Sequence, residues 1–401
     1  MVALIHGVAD HCEPFLEKKA LGKEMFEAKD LMRNFATDVI VSTGFGYDSD
    51  SVNDPTNFFK KNADLLIAKS FNLKMVLVFF LFLFAPRILR WLDWSFLHKE
   101  AETFFAAAIM KAIKERQASG EKRNDFIDIF RDILKKEAQD AVEGTSSNFT
   151  LRNEQQQTDS GIEKSLSNEN KKTATDEKKK KQTLKENQEE VEKILISNSL
   201  LMFVAGFNTV SSSSAIMLYF LAKKPEFQEC LYKEISEALE SAETPGQLDY
   251  ASIMNLQYMD QFFQETLRMY PFIHLQRSSV TEYTLPNTDI TIPKDMLVRF
   301  ASTAVVKDPK YFPNPEEFNP ENFNAENKTN RHPLASGGFG HGPRNCIAQR
   351  FAKLEIKIVI ARIMQKYRIL TCEKTIEKLV PDPKSREFQP KGGVWITVEK
   401  R

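Results

Sequence analysis

The chain has 401 residues, 42% of them apolar, with 55 basic and 55 acidic side chains and a formal charge of zero. That balance argues against nucleic acid as the main partner, and the apolar content is enough for a real core. Four scattered cysteines make no disulfide framework and point to a reducing compartment.

Residues 1–30 read as one helix of modest amphipathicity, and the first of them, VALIHGVADHCEPF, resemble neither a secretory leader nor a membrane span. Lys29 to Phe45 reads as a second helix, with Leu31, Phe35, Val39 and Ile40 at helical spacing and Gly44 and Gly46 at its end. A helix is expected from Asn53 to Ile67. Phe71 to Leu97 is the greasiest stretch, yet its longest apolar run, Met75 to Ala85, has 11 residues where a spanning helix needs about 20. It suits a core helix pair or, with Trp91, Trp94, Arg87, Arg90 and Lys99 around it, an interfacial patch. Helix resumes from Phe104 to Arg116, and RNDFIDIFRDIL (Arg123–Leu134) follows. Residues 138–187 carry few large apolar side chains and a lysine run at Lys178 to Lys181. They read as a disordered linker that cannot offset its ordering entropy.

Glu189 to Lys223 reads as a long helix whose centre, SLLMFVAGFNTVSSS, is apolar nearly all round and so belongs in the core. Gly206 within it weakens a helix by about 1 kcal/mol against Ala and implies a close approach or a kink. Pro225 suits the first position of the next helix, and Pro245-Gly246 breaks it. Tyr258 to Tyr270 is helical and sets Glu265 and Arg268 on one face. Residues 283–300 alternate and turn at Pro286-Asn287 and Pro293-Lys294, which predicts a β hairpin. A proline-rich meander over 308–323 leads to FGHGPRNCIAQRFAKLE, and residues 368–372 and 393–399 read as short strands.

Cys346 is the centre of this pattern. Gly337, Gly338, Gly340 and Gly342, closed by Pro343, suit a tight bulged turn. After it Ile347, Phe351, Leu354, Ile358 and the stem of Arg362 recur as a helix face. A cysteine where such a loop meets a helix N-terminus is favoured as thiolate, which serves as nucleophile or as metal ligand. Arg344 adds a cation suited to carboxylate or phosphate. Cys12, Cys230 and Cys372 lack such a context.

FGHGPRNCIA resembles the haem-binding signature F-x-x-G-x-R-x-C-x-G of the cytochrome P-450 family, with Ala348 in place of its last glycine. The resemblance implies that Cys346 is the axial thiolate ligand of haem iron and that Arg344 contacts a propionate. Phe339 would shield the sulfur and Gly342 permit the bulge. AGFNT (205–209) resembles the family's A-G-x-[D/E]-T motif: Ala205 and Gly206 lie against the cofactor, and Thr209 supports proton delivery. Asn208 stands where an acid is usual. Glu265 and Arg268 resemble the buried E-x-x-R pair, and Asn322 in PENF replaces the arginine that joins it. Arg277 resembles the second propionate-binding arginine.

The fold implied is mainly α with a small β side. It divides into a partial helical part at 1–137 that roofs the substrate pocket, a linker at 138–187, and a haem-binding catalytic core at 188–401. TDVIVSTGFGYDSDS resembles the family's helix E, so residue 1 falls near helix D. The anchor, the first helices and helix C are expected upstream. The implied activity is haem-dependent monooxygenation of small apolar substrates. Electrons would come from a separate NADPH-dependent reductase, at the cytosolic face of the endoplasmic reticulum membrane. The branch resembled is the animal microsomal one that handles foreign compounds and steroids. A haem binder without turnover is the alternative, and a membrane-associated interaction protein using Phe71 to Trp94 a third reading.

Overall fold

The apolar helix predicted at the centre organises the computed structural model. The structure describes residues 1–67, 77–78, 81, 88, 98–133, 174–242, 244, 246–271, 275–382 and 390–401. The helices are α1 (Val2–Asp10), α2 (Cys12–Gly22), α3 (Ala28–Ile40), α4 (Phe58–Ile67), α5 (Lys99–Ser119), α6 (Ala174–Lys223), α7 (Pro225–Glu240), α8 (Tyr250–Met254), α9 (Gln257–Met269), α10 (Ser302–Val306), α11 (Ala325–Thr329) and α12 (Gln349–Lys366). A further helix covers 126–133. The greasy stretch from Phe71 to Leu97 lies outside the described residues except at Leu77, Val78, Leu81 and Ile88.

α6 packs against α3, α5, α7, α9 and α12. Its rings form a stack through the core: Phe203 lies 4.4 Å from Phe105, 5.9 Å from Phe45 and 5.2 Å from Phe207. The close approach inferred at Gly206 is to α3, since a Cβ there would sit 2.9 Å from Ile40 Cδ1. The buried serines 211–214 keep the same helix thin further on. Its segment Glu192–Lys223 is long and apolar enough to cross a membrane, but much of it is buried against these helices.

Several boundaries differ from the expectations. The expected helix over 1–30 is two helices, broken at His11. α2 ends on Lys23, which is left-handed at φ 51° and returns its amide to Ala20 and Lys19 carbonyls. The next residues form β1 (Phe26–Glu27), held by burial of Phe26 against Phe15. The second helix continues through Gly44 as a π turn, Val41–Phe45, and Gly46 ends it at φ 74°. The helix expected from Asn53 starts at Phe58. There Asn57 Oδ1 accepts from the Phe59 and Lys60 amides, 2.9 and 3.1 Å, while Asp54 and Thr56 bond locally. Of the expected linker, 138–173 lies outside the described residues and 174–187 is helical, as the first part of α6. That part is rich in Lys, Glu and Gln and has no Gly or Pro, so a helix once nucleated in the core propagates through it.

The β side is small, as expected. β6 (Tyr367–Leu370) and β1 flank β7 (Trp395–Lys400), all antiparallel. The hairpin over 283–300 is present as β3 (Tyr283–Thr284) on β4 (Thr291–Ile292), turning at Asn287 with φ 60°. β5 (Leu297–Arg299) leaves it to pair with β2 (Gln276–Ser278).

Two buried ionic features set stability. Arg116 donates to Asp125 Oδ1 at 2.6 Å and to Asp128 at 3.4 Å, all three nearly out of solvent. Replacing Arg116 by Met strands two buried carboxylates, and a loss of about 3–5 kcal/mol is expected by denaturant unfolding. Glu355 on α12 is 1% exposed, its Oε1 has no hydrogen-bond partner among the described residues, and burial raises its pKa well above the usual carboxylate range. Its contribution is therefore greatest below the unfolded value and is lost as pH rises through the folded one. Glu355→Gln should raise Tm over the parent by an amount that grows as pH rises above the usual carboxylate range.

Candidate haem-thiolate site

The glycine-rich loop from Gly337 to Ala348 is laid down on α9. Gly338 allows this, because a Cβ would stand 2.7 Å from Leu267 Cδ1 and 2.8 Å from Leu267 Cβ. Phe339 then packs on Phe263, ring centroids 5.9 Å apart. Gly340 and Gly342 are left-handed at φ 73° and 76°, where a side chain is strained. The loop closes on itself. The Gly340 amide donates to Gly337 O at 3.0 Å, Asn345 to Gly342 O at 3.0 Å, and Cys346 to Phe339 O at 2.8 Å. So Cys346 is held by its own backbone, and its side chain is exposed.

The helix after it begins at Gln349, with Ala348 at its N-cap. Cys346 thus lies three residues before the helix rather than on its first turn. Ile347, expected on the apolar face, precedes the helical phase and is fully exposed. The face itself starts at Phe351, packed on Phe126 at 5.2 Å, and runs through buried Leu354 and Ile358. Arg344 is exposed in the 3-10 turn Gly342–Arg344. Arg277, on β2, donates to the Gln276 carbonyl at 2.8 Å and reaches the Arg344 carbonyl at 3.4 Å. The structure therefore brings Cys346, Arg344, Phe339, Gly342 and Arg277 to one loop and its neighbour.

The second set lies on α6. Leu201 and Ala205 are exposed and Thr209 is half-exposed, so one face of an otherwise buried helix is unpacked. Thr209 Oγ1 donates to the Ala205 carbonyl at 2.8 Å, with Gly206 O at 3.1 Å. Asn208, expected beside Thr209 in proton delivery, is buried. One residue is about 100° of helix, so Asn208 and Thr209 cannot share a face.

These residues fit a haem. The thiol of Cys346 is a soft donor suited to iron, and Arg344 and Arg277 are cations suited to two carboxylates. Exposed Leu297, Phe300 and Ile347 provide apolar surface beside them, the first two on or next to the strand paired with Arg277.

α9 carries the third set. Glu265 and Arg268 are fully buried and joined by two parallel hydrogen bonds of 2.7 Å each. Arg268 also donates to the carbonyls of Val306, Pro315 and Glu317, at 2.9, 2.7 and 3.1 Å. Burial raises the Glu265 carboxyl above its usual range, opposed by Arg268. Asn322, in place of an arginine, recovers one bond: its amide donates to Glu265 Oε1 at 3.1 Å, and the Asn319 amide adds another at 2.9 Å. Sequence reading missed Arg331. Its guanidinium bonds the Asn322 carbonyl and lies 4.0 Å from the Phe312 ring centroid and 5.1 Å from that of Phe323. The available signal was an arginine nine residues after the substituted position.

Asn322→Ala should cost about 1 kcal/mol, since Glu265 keeps Arg268 and the Asn319 amide. Arg268→Met should cost about 3–5 kcal/mol and release the meander as well, seen as faster proteolysis over 306–323.

Comparison with known proteins agrees with this geometry. The family model described as Cytochrome P450 matches residues 1–395. Cytochrome P450 6B7 of Helicoverpa armigera is 27% identical over 402 aligned positions, which take in 100% of this chain and 71% of that protein. Cytochrome P450 9e2 of Blattella germanica is 32% identical over 378 positions, 94% of this chain and 64% of the relative. With a matching model along nearly its whole length and a glycine-shaped cysteine loop where the thiolate is required, the chain belongs to the cytochrome P450 family, whose cofactor is a thiolate-ligated haem.

Proposed function

We propose that this protein is a haem-dependent monooxygenase that places one oxygen atom of dioxygen in an apolar organic substrate and releases the other as water. The observation that carries the reading is the loop closed by the Cys346 amide on the Phe339 carbonyl, which leaves the sulfur exposed and its backbone fixed. Bound there, haem supplies the activation of dioxygen, which no side chain can perform.

Cys346 would give haem iron its thiolate ligand, and Arg344 and Arg277 would hold its carboxylates. Ala205 would lie beside the cofactor, whereas Gly206, expected there too, is turned to Ile40 of α3. The Thr209 hydroxyl donates a hydrogen bond to the Ala205 carbonyl, so its oxygen is free to accept one from water or substrate, and it would hand a proton on only by turning that O–H away from the carbonyl. Asn208 can hydrogen-bond but cannot ionise. Leu201 and Ala205 offer an apolar wall that suits an apolar substrate and excludes water.

The sequence has no nicotinamide or flavin motif, so electrons come from a separate partner, an NADPH-dependent cytochrome P-450 reductase. The apolar, Trp- and Arg-flanked stretch Phe71 to Trp94 suits peripheral membrane contact, and the cytosolic face of the endoplasmic reticulum membrane is the location proposed with it. A haem binder without turnover is the second reading, supported by the burial of Asn208 where an acid is usual.

Haem titration of the purified protein should saturate at one per chain, and the reduced, CO-bound form should show a red-shifted Soret band. Cys346→Ala should abolish that band; its persistence would refute the ligand assignment. Full haem loading with no substrate oxidation in the presence of reductase would favour the binder.

A further inference from the structure

Far along the chain from the cysteine loop, three ligand-bearing side chains meet where three elements join. His11 stands at the break between α1 and α2, Asp38 on α3, and Asp50 in the loop after the π turn. One ligand atom from each lies within 4.8 Å of the other two. Asp38 is wholly buried with the Ser49 and Ser51 hydroxyls near its carboxyl, yet among the described residues its Oδ1 has no hydrogen-bond partner of good geometry, and neither has His11 Nδ1, which is also out of solvent. His11 Nδ1 is 3.9 Å from Asp50 Oδ1, too far for a hydrogen bond. Among the described residues no Lys or Arg pairs with Asp38 or Asp50. Two carboxylates and an imidazole thus converge with two orphaned polar atoms between them.

We propose that His11, Asp38 and Asp50 form a binding site for one divalent cation of the zinc class. An imidazole nitrogen with two carboxylate oxygens is a donor set for a borderline transition metal rather than for calcium or magnesium, which prefer oxygen alone. Charge agrees, since two negative groups with no basic partner match a dication.

The far sides of the ligands are already held. The Ser51 amide donates to Asp38 Oδ2 at 2.7 Å, so Oδ1 is the atom left for the metal. The Asn53 amide and side chain take both oxygens of Asp50 at 3.0 Å, and that same side chain donates to the His11 carbonyl at 2.9 Å. Such outer contacts orient ligands. Bonds of about 2.0–2.2 Å to one ion need donors roughly 3.4 Å apart, so the three must draw together by about an ångström. His11 and Asp50 can supply this, being partly exposed and on a helix break and a loop. The open side admits water as the fourth ligand. The metal would clip the 47–57 loop to the start of α2 and to α3, where among the described residues no Lys or Arg does so.

The test uses haem-loaded protein, which keeps the Cys346 sulfur occupied, with zinc chloride as the probe. Equilibrium dialysis with metal analysis should give one more Zn²⁺ per chain for the parent than for His11→Gln or Asp50→Asn. Both variants change partly exposed side chains and should fold. Zn²⁺ should raise the parent's Tm, with the affinity read from that rise at least tenfold weaker in each variant, the Soret band unchanged. Equal zinc uptake by parent and variants, or a rise in Tm that survives both substitutions, would overturn the site. An equal response to Ca²⁺ would overturn the metal class.

Discussion

The cysteine loop depends on a buried pair that never touches it. Glu265 and Arg268 neutralise each other one turn apart on α9, and the fork that joins them leaves Arg268 with donors to spare. Those donors close on three carbonyls of the meander, while Glu265 accepts from Asn319 and Asn322. A buried ion pair is not in itself a stabilising device, because desolvation offsets most of its attraction. Its value here is positional: five polar groups of an irregular segment have partners only if that segment follows one path. One residue away, Leu267 is the surface on which Gly338 rests, and Phe263 receives Phe339. The approach to the loop and the loop itself are thus gauged from the same helix.

Asn322 shows how such a network tolerates a lost charge. An amide cannot replace a guanidinium fork, yet Glu265 is not left short, since one carboxylate oxygen already accepts from two nitrogens besides Arg268. The cation has moved rather than vanished. Arg331 sits over the Phe312 and Phe323 rings and holds the Asn322 carbonyl. Its charge still acts on the Glu265 carboxylate, at longer range and through aromatic packing.

What could be read from the chain alone follows from the range of the forces involved. Loop glycines were legible because left-handed backbone at Gly340 and Gly342 is a local demand on residue type. The E-x-x-R pair and the order of helices and strands were legible through periodicity and resemblance. Local signals failed where side chains compete with backbone or where phase matters. Asn57 caps a helix expected to start five residues earlier, at Asn53. Ile347 fits the helical period by number but falls before the first helical residue. The start of α6 was missed because its Lys- and Glu-rich sequence carries no apolar period. The only sequence signal for Arg331 was its place nine residues after Asn322, which does not reveal partners on a 3-10 turn and in the meander.

α6 has to serve two neighbours with opposite needs, and its sequence divides them by angle. Towards α3 it needs depth, and Gly206 provides it by lacking the Cβ that Ile40 would meet. About 100° round at Ala205, and about 60° round at Thr209, it needs an unpacked surface with one hydroxyl. The two needs are coupled, because the depth at which Gly206 seats the helix fixes where Ala205 and Thr209 stand on the adjoining face. A methyl at 206 would be opposed by the terminal carbon of Ile40, which can yield only by displacing its own neighbours in a close-packed core. Any residual shift moves Ala205 and Thr209 as one rigid turn. The glycine that looks like a weakness in a core helix is therefore a spacing element for the site, acting through packing on the adjoining face.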